Sequence, residues 1–309
     1  MTTPKKSPNS SSKFLLFLGC AIPYRVTSYE ISTRKVLAKL GITLIEMTEY
    51  NCCGLPIDPV NHEMMVALAA RNLCLAEKQG LNIVTLCPGC AGTLRKVNKK
   101  LKQNKELRER INGYLKETGL EFKGTIEAKH LLQLLVEDIG LERIKDKVKR
   151  PLTNMNVTEH AGCHVSRPAD GVDFENPEDP EALKNLIEVT GAKYVDYTDK
   201  IACCGAPIAG VNDRIPLQLT REKLVHVKEA GAQALITVCP FCHMMFDTNQ
   251  PRIERMFNES FKTPVLHYPQ LLGLAMDFSP EELDLKGLRV DPTKIVSQIH
   301  GAKKGDSKW

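Results

Sequence analysis

The chain of 309 residues has no apolar run approaching the roughly 18–20 residues needed to cross a bilayer. The apolar stretch Phe14–Leu18, ahead of Gly19-Cys20, is five residues long, shorter than the roughly 7–15 of a secretion signal. A Gly-Cys pair recurs far inside the chain at Gly162-Cys163, so Phe14–Leu18 reads as a buried strand running into a cysteine. The basic stretch Arg95–Arg110 holds eight Lys/Arg against two Glu, yet it lacks interleaved aromatics and any nucleic-acid motif. That stretch reads as one solvated helix face, and the polar ends at residues 2–13 and 300–308 as solvated tails. Docking on an acidic partner is the alternative use. No flavin or nucleotide fingerprint is present, so any electrons handled here come from, or go to, another subunit. These absences predict a cytoplasmic protein without a membrane span, in which the eleven cysteines act as metal ligands or redox groups and not as structural disulfides.

What is present is a duplication. Cys20 is followed after 31 residues by Cys52-Cys53, and after 33 more by Cys87-Pro-Gly-Cys90. Cys163 is followed after 39 residues by Cys203-Cys204, and after 34 more by Cys239-Pro-Phe-Cys242. Asn51-Cys-Cys-Gly-Leu-Pro-Ile57 answers Ala202-Cys-Cys-Gly-Ala-Pro-Ile208, and His130-Leu-Leu-Gln-Leu-Leu135 answers His267-Tyr-Pro-Gln-Leu-Leu272. Several matches in one order mark an internal repeat. Each half reads as strand, helix, strand, cysteine loop, helix, strand, helix. Lys13–Leu18, Ile42–Met47 and Ile83–Leu86 are the strands of the first half, and Asn156–Glu159, Lys193–Tyr197 and Ala234–Val238 those of the second. Tyr29–Leu40, His62–Gln79, Pro180–Thr190 and Pro216–Ala230 are the helices, with Gly41 and Gly191 as stops. Alternating strands and helices predict an α/β fold: two duplicated domains with mainly parallel sheets, related by a pseudo-two-fold. The boundaries expected are 14–150, 151–276, and a C-terminal tail from 277 to 309.

The cysteine patterns carry chemistry. In both CxxC motifs proline follows the first cysteine, where it suits a helix's first turn. The helix amino end then favours thiolate over thiol. The vicinal pairs are followed by Gly54 and Gly205, able to bend the chain so that both sulfurs face one side. A lone CxxC would fit a thioredoxin-like oxidoreductase but would leave the other cysteines unexplained. Structural zinc takes four ligands, and five thiols per half overshoot it. Counting back from the glycine ahead of each CxxC strand, Cys74 falls opposite Val225, as a core residue would. An iron–sulfur cluster accounts for the rest. The common cubane takes four thiolates, so the fifth is a spare redox thiol or belongs to an unusual cluster, and spacing does not choose between them.

The pattern Cys, 31–39 residues, Cys-Cys-Gly, about 34 residues, Cys-x-x-Cys, present twice, resembles the CCG (cysteine-rich) domain family, and within it the B subunits of heterodisulfide reductases. The resemblance runs from Phe14 to about Met276 and includes Cys163-His-Val-Ser-Arg-Pro168 and Glu175-Asn-Pro-Glu-Asp-Pro180. It implies a non-cubane [4Fe–4S] cluster on Cys20, Cys52, Cys53, Cys87 and Cys90, and a second on Cys163, Cys203, Cys204, Cys239 and Cys242. Zinc in one half is the alternative. It further implies a disulfide (or, in reverse, thiol) substrate handled between facing clusters, with electrons passing through C-like iron–sulfur and A-like flavin subunits of one complex. The family's glycine-rich run after the second Cys-Cys-Gly reads Ala206-Pro-Ile-Ala-Gly210 here, a departure in a loop expected to line the cavity.

His164 and His243 directly follow cysteines of the second half and are candidates for proton supply, or for hydrogen bonds to cluster or backbone. His130 and His267, at a strand-to-helix joint, are expected to cap or pack. Arg25 and Arg167, shortly after the first cysteine of each half, are candidates to hold an anionic substrate. Other classes remain in view: an electron-transfer subunit linking a dehydrogenase to a quinone pool, and a zinc-stabilised interaction module.

Overall fold

The computed structural model describes residues 12–167 and 174–300. The polar ends at 2–11 and 301–308, and Pro168 of the quoted motif, lie outside the described residues. The first half forms a four-stranded sheet from β1 (Lys13–Phe17), β2 (Thr43–Glu46), β3 (Ile83–Thr85) and β4 (Ala128–His130), in the order β2-β1-β3-β4. The second repeats that order as β6-β5-β7-β8, with β5 (Asn156–His160), β6 (Lys193–Tyr194), β7 (Ala234–Thr237) and β8 (Val265–His267). Every pairing is parallel, with Phe17 opposite Thr85 and His160 opposite Thr237. The expected duplicated α/β architecture is what the chain adopts. In each sheet the connections leave the first strand in opposite directions, making a switch point between β1 and β3 and between β5 and β7, just where open α/β sheets place their sites.

Crossover helices cover the sheets. α1 (Ile22–Arg25) and α2 (Thr27–Lys39) join β1 to β2, α3 (His62–Gln79) joins β2 to β3, and α4 (Pro88–Gln103) with α5 (Lys105–Lys116) joins β3 to β4. α6 (Leu131–Gln133), widened into a π turn at Leu134–Ile139, and α7 (Leu141–Lys145) leave the first half. In the second half α8 (Ala182–Val189) and α9 (Ile215–Glu229) are the first crossovers. There α10 (Pro240–His243), a π turn at Met244–Thr248 and α11 (Gln250–Phe257) lead to β8, followed by α12 (Tyr268–Ala275) and α13 (Thr293–His300).

Three features differ from expectation. The basic stretch is two helices, because Asn104 ends α4 and its side chain accepts from the Leu107 N–H at 2.9 Å, capping α5; Val97, Leu101, Leu107 and Ile111 turn inward. β4 and β8 add a fourth strand to each sheet, each only three residues long and hence too short for a periodic signal. Past Met276 the described chain is no loose tail: Leu283, Leu285, Leu288, Ile295 and Val296 are buried in the core. The buried Asp247 carboxylate fastens that segment by accepting from Arg289 N–H (2.7 Å) and Val290 N–H (2.9 Å).

The halves share one core, with α2 packed on α12 and α7 on α8. Tyr268 of α12 donates its hydroxyl to the Leu186 carbonyl at 2.9 Å. From the first half, Tyr29 Oη (3.0 Å) and His130 Nε2 (3.1 Å) both donate to the carbonyl of Val238, the residue before Cys239. The link between halves therefore ends directly on a cysteine loop.

Candidate metal centres

Each cysteine is delivered by a strand end or a forced turn. Cys20 and Cys163 come three residues after β1 and β5, behind Gly19 and Gly162 at φ 68° and 89°. A Cβ on Gly19 would lie 2.9 Å from the Cys90 sulfur, and one on Gly162 would lie 3.1 Å from Cys239 Cβ, so glycine is needed for the close approach as well as for the dihedral. Cys87 and Cys239 cap α4 and α10, with proline next in the first turn; their N–H groups donate to Thr85 Oγ1 (3.4 Å) and Thr237 Oγ1 (3.1 Å). After each vicinal pair Gly54 and Gly205 both adopt φ 93°, starting the short 3-10 turns Leu55–Ile57 and Ala206–Ile208. Their N–H groups donate back to Cys52 Sγ (3.5 Å) and Cys203 Sγ (3.3 Å). The glycine bend read from the sequence is real and takes the same form in both halves.

The five thiols of each half come together. In the first, Cys52 interacts with Cys20 and Cys53, Cys53 with Cys90, and Cys90 with Cys87. In the second, Cys163 interacts with Cys203, Cys203 with Cys204, Cys204 with Cys242 and Cys242 with Cys239; the Cys204 and Cys242 sulfurs are 3.4 Å apart. Hydrogen bonding from Cys90 pulls Cys53 down to about 7, while Cys90 is pushed well up by the same contact. Cys204 is likewise lowered, first by Cys203 and then by Cys242, and Cys242 is raised. Cys87 is lowered by Cys90 as well, so the first group has two thiols inclined to be thiolate and the second has Cys204, with donors arranged around them. Cys20 and Cys203 are exposed, Cys52 and Cys163 half-buried, and the other six buried, so each group opens to solvent on one side. Cys74 stands apart on α3, buried, its thiol pushed up to about 12 by desolvation.

The two groups are neighbours. The turn Cys163–Val165 packs on α4, whose first turn carries Cys87 and Cys90. A Cβ on Gly92 of α4 would lie 3.8 Å from the His164 carbonyl oxygen. The buried Tyr29 hydroxyl is held well above its ordinary pKa by burial, then by the charges of Cys239 and Cys87, one from each group. Its ring stacks on His267 (centroids 3.9 Å), which stacks on His243 (4.0 Å).

The remaining candidates divide. His130 caps as expected: its Nδ1 accepts from Leu132 N–H at 3.2 Å, and burial pulls its pKa down to about 4. His267 packs, with its backbone N–H accepted by Gln270 Oε1 at 2.9 Å and its ring fully buried. His243 is buried 3.6 Å from the Asp247 carboxylate. His164 is exposed beside the second group. Arg25 is exposed at the end of α1; Arg167 donates Nη2 to the Ile201 carbonyl at 3.0 Å, and its Nε has no hydrogen-bond partner among the described residues. Sequence reading missed His160, which shares a cluster with Cys204 and Cys242, and Lys223, buried behind the same group. Offsets within the repeat align them with Phe17 and Asn72, but only the fold shows that they face the sulfurs.

A duplicated open α/β sheet with a quintet of thiols at each switch point defines a cysteine-rich protein with two matched thiol groups. The CCG cysteine-rich domain matches residues 14–95 and again 157–247, and the chain belongs to that family. It is 36% identical over 298 residues to the B subunit of the ferredoxin/F420H2-dependent CoB-CoM heterodisulfide reductase of Methanosarcina acetivorans, covering 95% of this chain and 99% of that one. It is 29% identical over 287 residues to the Wolinella succinogenes 8-methylmenaquinol:fumarate reductase membrane anchor subunit, covering 92% and 99%. A hypothetical protein of Helicobacter pylori, known from its crystal structure, shares the fold with a TM-score of 0.74 at 18% identity; the match covers 94% of this chain and 54% of that one. No helix among the described residues is long and apolar enough to cross a membrane.

Proposed function

We propose that this chain carries two iron–sulfur centres and serves as the disulfide-reducing, or in reverse thiol-oxidising, subunit of a heterodisulfide reductase-like complex. The observation that carries this reading is the pair of adjacent thiol quintets. Cys20, Cys52, Cys53, Cys87 and Cys90 would hold one centre, and Cys163, Cys203, Cys204, Cys239 and Cys242 the other. The donor set fits such a group: all donors are sulfur, five exceed the four of a closed zinc site, and Gly19 and Gly162 leave the space that a side chain would fill. Iron–sulfur centres supply single-electron transfer at potentials of roughly −700 to +450 mV, a range that includes those of disulfides. Reducing RS–SR′ to two thiols takes two electrons and two protons, and two neighbouring one-electron centres match that count.

The chain's own groups fit the remaining needs. The exposed faces of Cys20 and Cys203 leave an approach for a disulfide. His164, exposed beside Cys163 and abutting α4 of the other half, can hand a proton to a departing thiolate. His130 and His267 are committed to packing. The name of the Methanosarcina relative supports the disulfide reading. That of the Wolinella relative, a menaquinol:fumarate reductase subunit, favours a second one, in which the chain only relays electrons to or from a quinone pool.

Iron and acid-labile sulfide are measured after anaerobic reconstitution, with low-temperature EPR to count and type the centres. Two centres, and thiol product from a panel of disulfides that is lost on Cys203→Ser, are expected. Electron transfer without thiol product would favour the relay, and a colourless protein holding one zinc per half would overturn both.

A further inference from the structure

The two quintets have matched ligands but unmatched neighbours, and the duplication allows a residue-by-residue comparison. Three residues before the first cysteine, at the last position of β1 and β5, stand Phe17 and His160. Phe17 is fully buried, its ring 4.9 Å from that of Tyr50. His160 is 2% exposed, and its Nδ1 lies 3.1 Å from the Lys200 carbonyl oxygen. A carbonyl only accepts, so the proton is on Nδ1, and Nε2 is the free nitrogen. That atom is buried without a hydrogen-bond partner among the described residues. A His160 ring nitrogen and the sulfurs of Cys204 and Cys242 lie within 4.8 Å of one another. An imidazole held by a backbone carbonyl through one nitrogen, with the other turned to a sulfur site, is the arrangement by which proteins orient nitrogen around metals.

The second mismatch lies on the middle helix, eight residues before Gly80 and Gly231, where Asn72 answers Lys223. Asn72 is neutral: its amide accepts from Asn51 N–H (3.0 Å) and donates to the Cys52 carbonyl (3.3 Å). Lys223 is 1% exposed, donates Nζ to the Asp199 carbonyl and lies over the Tyr197 ring at 5.5 Å. Its ammonium, disfavoured by burial, is supported by the nearby charges of Asp199, Cys204, Cys242 and Cys163. Glu159 does not cancel it, since burial keeps that carboxyl protonated up to about 8.

From these contrasts we infer that the second centre, on Cys163, Cys203, Cys204, Cys239 and Cys242, is the higher-potential one of the pair, held so by His160 and Lys223. Reduction adds negative charge, and a buried cation favours it. A polar imidazole beside the sulfurs, where the first half has only a phenyl edge, favours it too, since polar surroundings support the more highly charged state. Electrons entering the protein therefore settle on the second half. His160 and Lys223 act through the ligands, as positioning residues. This inference rests on the iron–sulfur reading above.

The test is an EPR-monitored redox titration of the full chain after anaerobic reconstitution with iron and sulfide. Two midpoints are expected. His160→Phe and Lys223→Asn, each installing the first half's residue, lower the higher midpoint while the lower one stays. At the original higher midpoint, the reduced-to-oxidised ratio of that centre falls at least tenfold, about 59 mV for a one-electron couple. Phe17→His raises the lower midpoint. If His160→Phe does not fold, His160→Gln replaces it with the same expected direction. Iron-loaded variants with an unmoved higher midpoint, or with only the lower one displaced, would overturn the inference alone. Wild-type protein that binds no iron would instead remove the iron–sulfur reading beneath it.

Discussion

After its CxxC the first half continues into an unbroken helix of 16 residues, α4, whereas the second stops α10 after four and widens into a π turn. Upstream of the CxxC motifs the backbones agree closely: the same strand order, Gly54 and Gly205 at the same φ of 93°, and the same threonine cap beneath Cys87 and Cys239. The comparison shows where the site's geometry is set. Strand ends and glycine bends aim the sulfurs, and the chain beyond the first helical turn is free to serve other ends. In the second half that freedom is used to place Asp247, which fastens the C-terminal segment.

Paired substitutions can break or sharpen this comparison. The largest effect is expected from Cys53→Ser and Cys204→Ser, each removing one of two centres and so about half the bound iron. Cys74→Ser should leave iron content unchanged; equal losses from all three by metal analysis would abolish the two-quintet picture. Next come Gly54→Ala and Gly205→Ala, where a Cβ would meet Met65 O at 2.9 Å and Pro216 O at 2.8 Å in a left-handed conformation. Each should cost about 2–4 kcal/mol in urea unfolding, and a clear inequality would mean that the bends are not equivalent.

A pH effect separates the halves. Glu159 answers Leu16 of the first half, and desolvation raises its pKa from 4.5 to about 8. The folded state therefore favours the protonated form, and the stability tied to it is full below pH 4.5 and lost as pH rises towards 8. Glu159→Leu should be more stable than wild type at pH 8 by about 2–4 kcal/mol, with the advantage shrinking towards pH 5; a pH-independent difference would refute this. His130 runs the other way. Its pKa is pulled from 6.5 to about 4, so its contribution is present above pH 6.5 and lost on acidification towards 4, by about 1–3 kcal/mol. His130→Gln should flatten that acid limb of the stability curve. The smallest effect is expected at the exposed Arg150–Asp277 pair, 2.7 Å apart at the seam of the halves: Arg150→Ala should cost less than about 1 kcal/mol, and more would mean the seam is held by charge as well as by core.

Most of the candidate site was legible from the chain because cysteines are rare residues and their spacings repeat. The Gly54 and Gly205 bends and the prolines after Cys87 and Cys239 were legible for a different reason, since their backbone constraints are local. His160 and Lys223 were not. A histidine ending a strand and a lysine on a helix look ordinary until the fold turns them towards sulfur. β4 and β8 escaped because three residues cannot show a period, and the segment after Met276 because its leucines are scattered between polar residues.

Local chemistry alone therefore determined that there are two like halves, that ten thiols recur at matched positions in them, and that Cys74 is not among those ten. Only the tertiary structure decided that the quintets lie side by side with the Tyr29 hydroxyl on the Val238 carbonyl beside Cys239, that the C-terminal segment closes the core, and that the second quintet has a cation and an imidazole where the first has an amide and a phenyl ring. The physical reason is range. Backbone preferences and ligand spacings are written in neighbouring residues, whereas burial, charge and contact at a site depend on which distant segments the packed core brings together.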